Sequence, residues 1–239
     1  MPNIAPDRIV GTITREILAA EIGRNLAHSA LARMKRGADL LIPDLEGVRR
    51  GDIILSRHCG WRENVKLSLV ARAQKSLFSK NFTPEACSWG HAMVYLGDMF
   101  VAESQPIFFR GPLPASGLRA IPLTAHSASR ELLICRHRGA AGREENIARY
   151  AALNCIANSR RYPIDRVLRT AFLDRSETKQ LFIAANCSEF ALECLAVGAR
   201  CMVETYAKVR SGQEDFYPAD FHADSDFERI EMTYLRLVD

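Results

Sequence analysis

The stretch from residue 90 to residue 104 most constrains the fold of this chain, because it has the pattern of two strands joined by a tight turn. Two β-rich runs, GHAMVYL at 90–96 and FVAES at 100–104, are separated by Gly97, Asp98 and Met99. A connection of this length is typical of a β-hairpin, in which consecutive strands pair antiparallel. The sequence therefore predicts an antiparallel pair here, the clearest in the chain.

The remaining periodicity predicts an α+β fold with a mainly antiparallel sheet. Strand patterns dominate the middle of the chain and helical patterns follow, without the regular β-α alternation of a parallel sheet. Further strands are expected at 51–55, 107–110, 119–123, 131–136 and 227–237. Helices are expected at 62–80, 143–157, 164–172 and 187–197.

The first 47 residues read as an extension to this domain. Apolar residues, including Ile9, Ile13 and Ile17, recur at roughly helical spacing between residues 7 and 35. The pattern predicts one long amphipathic helix or two short ones, and therefore a helical extension at 1–47 before a catalytic domain at 48–239. The apolar face of such helices could cover the core or form the contact of a homodimer.

Composition excludes several classes of function. The chain has 239 residues, of which 48% are hydrophobic, enough for one substantial core. Its formal charge of +4 is dispersed among acidic residues, so no nucleic-acid partner is expected. Seven cysteines are an odd number, which favours reduced thiols over a disulfide framework.

Neither a signal peptide nor an integral membrane segment is expected, which favours the cytoplasm as the location of the protein. Export as an effector without a signal peptide stays open.

The segment around Cys187 has the pattern of a helix that begins with a reactive thiol. Asn186 can cap the helix, Glu189 completes a variant of the capping box, and Gly198 is placed to end it. Cys187 would then lie at the first helical position, where the helix dipole and unpaired N–H groups stabilise a thiolate and an oxyanion. Taken alone, a cysteine at a helix start is more typical of a packed core residue than of a nucleophile.

A thiolate nucleophile needs a general base, and His91 is the candidate because it opens the first strand of the hairpin. Glu103 on the returning strand can orient the imidazole. A two-residue turn at 97–98 would place Glu103 on the opposite face, whereas a three-residue turn pairs Met93 with Glu103 and puts His91 and Glu103 on one face. That turn requires a left-handed residue at Met99, at a cost of roughly 1 kcal/mol.

These motifs together resemble the circularly permuted, NlpC-type papain-like proteins, which include YiiX-like hydrolases and lecithin:retinol acyltransferase relatives. The resemblance covers about residues 48–225 and rests mainly on four segments in the family's order. These are GDII at 51–54, GHAMVYLGD at 90–98, VAE at 101–103 and NCSEF at 186–190. Two more segments, YPID at 162–165 and YPADF at 217–221, resemble those that flank the cysteine helix in YiiX-like members.

The resemblance implies a permuted papain-like fold in which a mainly antiparallel sheet packs against the nucleophile-bearing helix. It assigns Cys187 as nucleophile, His91 as base and Glu103 as orienting residue. The expected enzyme is a cysteine hydrolase, an amidase or peptidase, that forms a thioester acyl-enzyme on a small peptide, amide or acyl-lipid substrate and needs no cofactor. The alternatives are a lipid-directed acyltransferase or phospholipase with the same triad, or a non-catalytic binding module that retains the fold.

Other polar and aromatic residues near these motifs have weaker signals. Trp89, Ser104 and Asn186 are candidate substrate-binding residues, although Trp89 is equally typical of a structural aromatic. The cysteines and histidines lack the paired spacing of a zinc site, so no metal is expected. Buried core positions are expected for three other cysteines, namely Cys135, Cys155 and Cys194.

Overall fold

The structure, a computed structural model, describes residues 4–22, 41–58, 82–104, 117–123, 130–157 and 187–238. In these ranges the chain forms an α+β fold with two β-sheets. The strands are β1 (Ile9–Thr14), β2 (Leu41–Pro43), β3 (Ile53–His58), β4 (His91–Gly97), β5 (Phe100–Ser104), β6 (Leu118–Pro122), β7 (Arg130–His137), β8 (Phe227–Glu231) and β9 (Tyr234–Val238).

Five α-helices lie in the described ranges. They are α1 (Arg15–Ile22), α2 (Glu144–Ala157), α3 (Cys187–Cys194), α4 (Val203–Arg210) and α5 (Pro218–Ala223). Within the described part of the chain, none of the helices combines the length and the apolar character needed to span a membrane. The helices expected at 62–80 and 164–172 and the strand expected at 107–110 lie outside the described residues.

The larger sheet has six strands in the order β6-β5-β4-β3-β7-β8, and each neighbouring pair is antiparallel. The prediction of an α+β fold with a mainly antiparallel sheet is therefore confirmed. The hairpin predicted at 90–104 forms β4 and β5 at the centre of this sheet. The strands expected at 51–55, 119–123 and 131–136 correspond to β3, β6 and β7, with boundaries shifted by one to three residues.

Alternate residues of the central strands pack into two hydrophobic clusters. Ala92 and Val94 of β4 belong to a cluster that also contains Ile147 of α2 and Phe190 of α3. Met93, between them, belongs to a second cluster with residues of β2, β7 and β9. Because successive side chains of a strand point to opposite faces, the helices cover one face of the sheet and the three-stranded sheet covers the other. Burial on both faces explains why β4 is apolar almost throughout.

The second sheet corrects the prediction of a helical extension. Ile9–Thr14 form strand β1 rather than the start of a helix, and β2 is also a strand. In the described part of 1–47 the only α-helix is Arg15–Ile22, and Pro6–Arg8 form a single 3-10 turn. Five of the six β1 residues are β-branched, which favours a strand. The four-residue spacing of Ile9 and Ile13 fits a period of two as well as one of 3.6, so the spacing could not distinguish the two.

The last strand expected, 227–237, is two strands that belong to different sheets. β8 pairs with β7 in the six-stranded sheet, and β9 lies between β1 and β2, parallel to β1 and antiparallel to β2. The segments predicted as separate ranges, 1–47 and 48–239, thus share a sheet. The homodimer contact expected of the first segment stays a prediction.

The end of α3 differs from the expected glycine cap. After Cys187–Cys194 the chain continues into a π-helical turn, Leu195–Ala199, and the left-handed residue that follows is Arg200, with φ 58°. Gly198 instead has a packing role, since a Cβ there would lie 2.7 Å from the Ile147 Cα of α2. Glycine at this position lets α2 approach the end of α3 closely.

Candidate active site

The hairpin turn sets the register that brings His91 and Glu103 together. Met93 lies opposite Glu103, which is the register predicted for an odd number of intervening residues. The extra residue is accommodated as an irregularity between Tyr95 and Gly97, and the turn itself consists of two left-handed residues, Asp98 with φ 50° and Met99 with φ 64°. A bulge in β4 therefore produces the register that was expected from a three-residue loop.

Burial of the Met99 side chain explains how the turn tolerates a left-handed methionine. Met99 is 5% exposed and packs with Ile13, Leu18 and Ile42 from the first 47 residues. A buried methionine contributes about 1.5–3 kcal/mol, whereas a left-handed residue costs about 1–2 kcal/mol. The N-terminal segment thus stabilises the turn on which the register depends.

His91 and Glu103 form a short hydrogen bond inside the protein. His91 Nε2 lies 2.6 Å from Glu103 Oε2, and the two side chains are diagonal neighbours on β4 and β5. His91 is 5% exposed and Glu103 is not exposed at all. With Nε2–H donating to the carboxylate, Glu103 fixes the orientation and tautomer of the imidazole.

Cys187 is the first described residue of α3, and its thiol contacts the same imidazole. The sulfur is hydrogen-bonded to the His91 side chain and to the backbone N–H of Ala92, and the Ser188 hydroxyl lies 3.8 Å from it. Because His91 Nε2 contacts Glu103, Nδ1 is the ring nitrogen that remains for the sulfur. The structure therefore brings together three residues that are 12 and 84 positions apart in the chain.

Electrostatics in this site favour an ion pair of thiolate and imidazolium. Burial by itself raises the pKa of the Cys187 thiol, but the His91 charge and hydrogen bond and the Ala92 N–H outweigh it, so that the pKa is lowered. Burial likewise lowers the pKa of His91, yet the thiolate charge and the bonds to Cys187 and Glu103 raise it to about 9. Each partner stabilises the charged form of the other.

Other described cysteines have the opposite behaviour. Burial raises the pKa of Cys135 and of Cys155 to about 12, and it also raises the pKa of Cys201. No imidazolium contributes to the pKa shifts of these three thiols, so the effect of desolvation dominates. Cys187 is therefore distinguished by its partner rather than by its burial.

We expect the thiolate of Cys187 to be present at about pH 7, well below the ordinary thiol pKa. Because the pKa of the Cys187 thiol is lowered, the thiolate forms without alkaline pH. It takes up a proton only at a pH below the ordinary thiol pKa. The difference in ultraviolet thiolate absorbance between the wild type and Cys187→Ser, followed from acid to alkaline pH, measures this. A difference that develops only above about pH 9 would contradict the ion pair.

Arg119 joins the site, and the sequence analysis missed it. Its Nε donates to Glu103 Oε1 at 2.6 Å, and the two residues are directly opposite each other on β5 and β6. An arginine at the start of the strand expected at 119–123 was visible in the sequence. Its pairing with Glu103 was not, because residues 105–117 separate the two strands and leave their register open.

The three candidate substrate-binding residues are placed differently. Trp89 is buried, with the Arg57 guanidinium 4.9 Å from its ring centroid and the His222 ring 6.3 Å away. Ser104 is buried at the end of β5, opposite Leu118. A role in substrate binding stays a prediction for both. Asn186 lies outside the described residues.

Two adjoining surface depressions lie elsewhere, beside the first turns of α2 and the end of α3. Their volumes are about 280 and 360 Å³, and both are lined by Asn146, Gly198 and Arg200. Cys187, His91 and Glu103 line neither of them. Among the residues that the structure describes, no group of three or more His, Cys, Asp or Glu side chains is arranged to hold a metal ion.

Comparison with known proteins finds no match. No family model matches the chain, and neither a curated protein nor a solved structure is similar enough to count as a match. The function is therefore argued from the site itself.

Proposed function

We propose that this protein is a cysteine hydrolase, an amidase or peptidase, in which Cys187 attacks the acyl carbon, His91 transfers the proton and Glu103 orients His91. The observation that carries the proposal is the continuous set of hydrogen bonds from the Cys187 thiol to the His91 imidazole to the Glu103 carboxylate, and the lowered pKa of Cys187 agrees with it. A thiol whose pKa is lowered by a specific charged partner is characteristic of a nucleophile and not of a core cysteine.

The proposed reaction has two halves. The Cys187 sulfur forms a bond to the acyl carbon of an amide, and the negative charge moves to the carbonyl oxygen, which the positive end of α3 can stabilise. Collapse of this intermediate breaks the C–N bond while the His91 imidazolium gives its proton to the leaving amine. Water then attacks the thioester as neutral His91 takes its proton. The C–S bond breaks, which releases the acid and leaves the Cys187 thiolate paired again with the His91 imidazolium.

The order of the elements supports a permuted papain-like assignment within this proposal. The histidine strand β4 precedes the cysteine helix α3 in the chain, and the helix packs on the antiparallel sheet that carries the histidine. This order agrees with the resemblance of the hairpin and Cys187 segments to permuted NlpC-type proteins. Glu103 in the third position favours the hydrolases among them, whereas the Asn186-Cys187 dipeptide favours the lecithin:retinol acyltransferase relatives.

Two measurements test the proposal. Iodoacetamide at about pH 6–7 should label Cys187 faster than the other six cysteines, read by peptide mass spectrometry. The purified protein should also turn over one member of a panel of peptide, isopeptide, acyl-ester and phospholipid substrates, with Cys187→Ala as the blank.

The outcomes separate the alternatives. Turnover of amides supports the proposed hydrolase, whereas turnover confined to lipid esters or transfer to an acceptor identifies the acyltransferase or phospholipase alternative. If Cys187 reacts no faster than Cys194 or Cys201, the activated thiol is wrong and a non-catalytic binding module becomes the better interpretation.

A further inference from the structure

The two oxygens of the Glu103 carboxylate have different partners. Oε2 accepts from His91, while Oε1 accepts from Nε of Arg119 at 2.6 Å and lies 2.5 Å from a second nitrogen of the same guanidinium. The hydrogen-bonded set that includes Cys187 and His91 therefore continues beyond Glu103 to Arg119.

The burial of these groups gives Arg119 a role beyond that of a surface ion pair. The Glu103 side chain has no exposed area, whereas that of Arg119 is 38% exposed. A carboxylate so completely buried tends to take up a proton unless a cation is bound to it. A protonated Glu103 would no longer stabilise the imidazolium, which in turn stabilises the thiolate.

We propose that Arg119 is a positioning residue of this site, which keeps the Glu103 carboxylate ionised and oriented so that it can hold His91 in place. The inference rests on the proposed function, since it assigns a supporting role to a residue that does not touch Cys187. The planar guanidinium, with two nitrogens on one carboxylate oxygen, suits this role better than a single ammonium group.

The pH dependence of Cys187 alkylation tests the proposal in the full-length protein. The rate is measured from acid to alkaline pH with iodoacetamide in the wild type, Arg119→Gln and Arg119→Lys. Arg136→Gln is the matched control, because Arg136 also binds a buried carboxylate, Asp52, with two nitrogens at 2.7 and 2.9 Å, but at the other end of the sheet. A pH profile responds to protonation in the site and not to a general loss of stability.

We expect Arg119→Gln to shift the acidic limb of the profile upwards by about one pH unit, so that the rate at about pH 6 falls about tenfold. Arg119→Lys keeps the charge and should give a smaller shift in the same direction. Arg136→Gln should leave the profile unchanged. In a Glu103→Gln background Arg119→Gln should have no further effect, because the group through which it acts has been neutralised.

Failure of this inference is distinguishable from failure of the proposed function. If Cys187 of the wild type is no more reactive than the other cysteines, the proposed function is wrong. If the wild type is reactive but Arg119→Gln has the same acidic limb, only the role of Arg119 is wrong. Should the glutamine variant fail to fold, an unchanged limb in Arg119→Lys contradicts the proposal equally.

Discussion

Replacing His91 with alanine is expected to slow the alkylation of Cys187 at about pH 7 by at least about 100-fold. In the native site the His91 charge and hydrogen bond overcome the effect of burial on the thiol. Without them burial dominates, and the pKa of Cys187 should rise above its ordinary value, as burial raises that of Cys135 and of Cys155 to about 12. The thiolate fraction at neutral pH then becomes negligible.

The measurement is the rate of iodoacetamide labelling of Cys187, with folding checked by circular dichroism. His137→Ala is the matched control, because His137 is a partly buried histidine on β7 that contacts Phe227 and not Cys187. Its replacement should leave the labelling rate unchanged. A folded His91→Ala variant that labels at the wild-type rate would show that something other than the imidazole activates the thiol.

Replacing Gly51 with alanine is expected to lower the free energy of unfolding by about 3 kcal/mol or more. Gly51 has φ +83° just before β3, and a Cβ there would lie 2.6 Å from the backbone oxygen of Glu144 and 3.1 Å from the Ile147 Cβ. The residue would have to accept a left-handed conformation and push α2 away from the sheet. Because the nearest contact is with the backbone of α2, rotation of a single side chain cannot remove the collision.

Gly47→Ala separates the two contributions. Gly47 has nearly the same φ, +85°, but a Cβ there meets nothing within 4 Å. Its replacement should therefore cost only the left-handed conformation, about 1 kcal/mol. Chemical denaturation of both variants gives the difference, which we expect to be at least about 2 kcal/mol. Equal losses would mean that α2 adjusts freely to a side chain at position 51.

Sequence periodicity predicted the six-stranded sheet well because most of its strands are set by local signals. The hairpin at 90–104 has strongly β-forming runs around a short turn, and α2 and α3 have helical patterns long enough to be recognised. A helix was predicted at 187–197, and α3 is helical from Cys187, the first described residue there, to Cys194. Gly198 was predicted to cap this helix, but it lies within the final π-helical turn. Glycine is needed there because α2 packs closely against it at Ile147.

The errors occurred where local patterns were ambiguous. The spacing of the isoleucines in β1 fits both a strand and a helix. Pairing with β9, at the far end of the chain, is what makes this segment a strand. Similarly, one continuous strand was expected at 227–237, but the chain crosses between two sheets near Met232 and Thr233. Pairing between distant segments overrides local preference in both cases.

The sequence by itself determined the residue types of the site and the parity that lets His91 and Glu103 share a face, because both are properties of one short hairpin. Only the tertiary structure decided that Cys187 meets His91 and that Arg119 meets Glu103. Those contacts depend on how α3 packs on the sheet and on the register of β5 with β6, each reached across a long stretch of chain. Local periodicity carries no information about contacts between segments so far apart in the chain. Those contacts are determined by the burial of apolar faces and by the pairing of backbone groups.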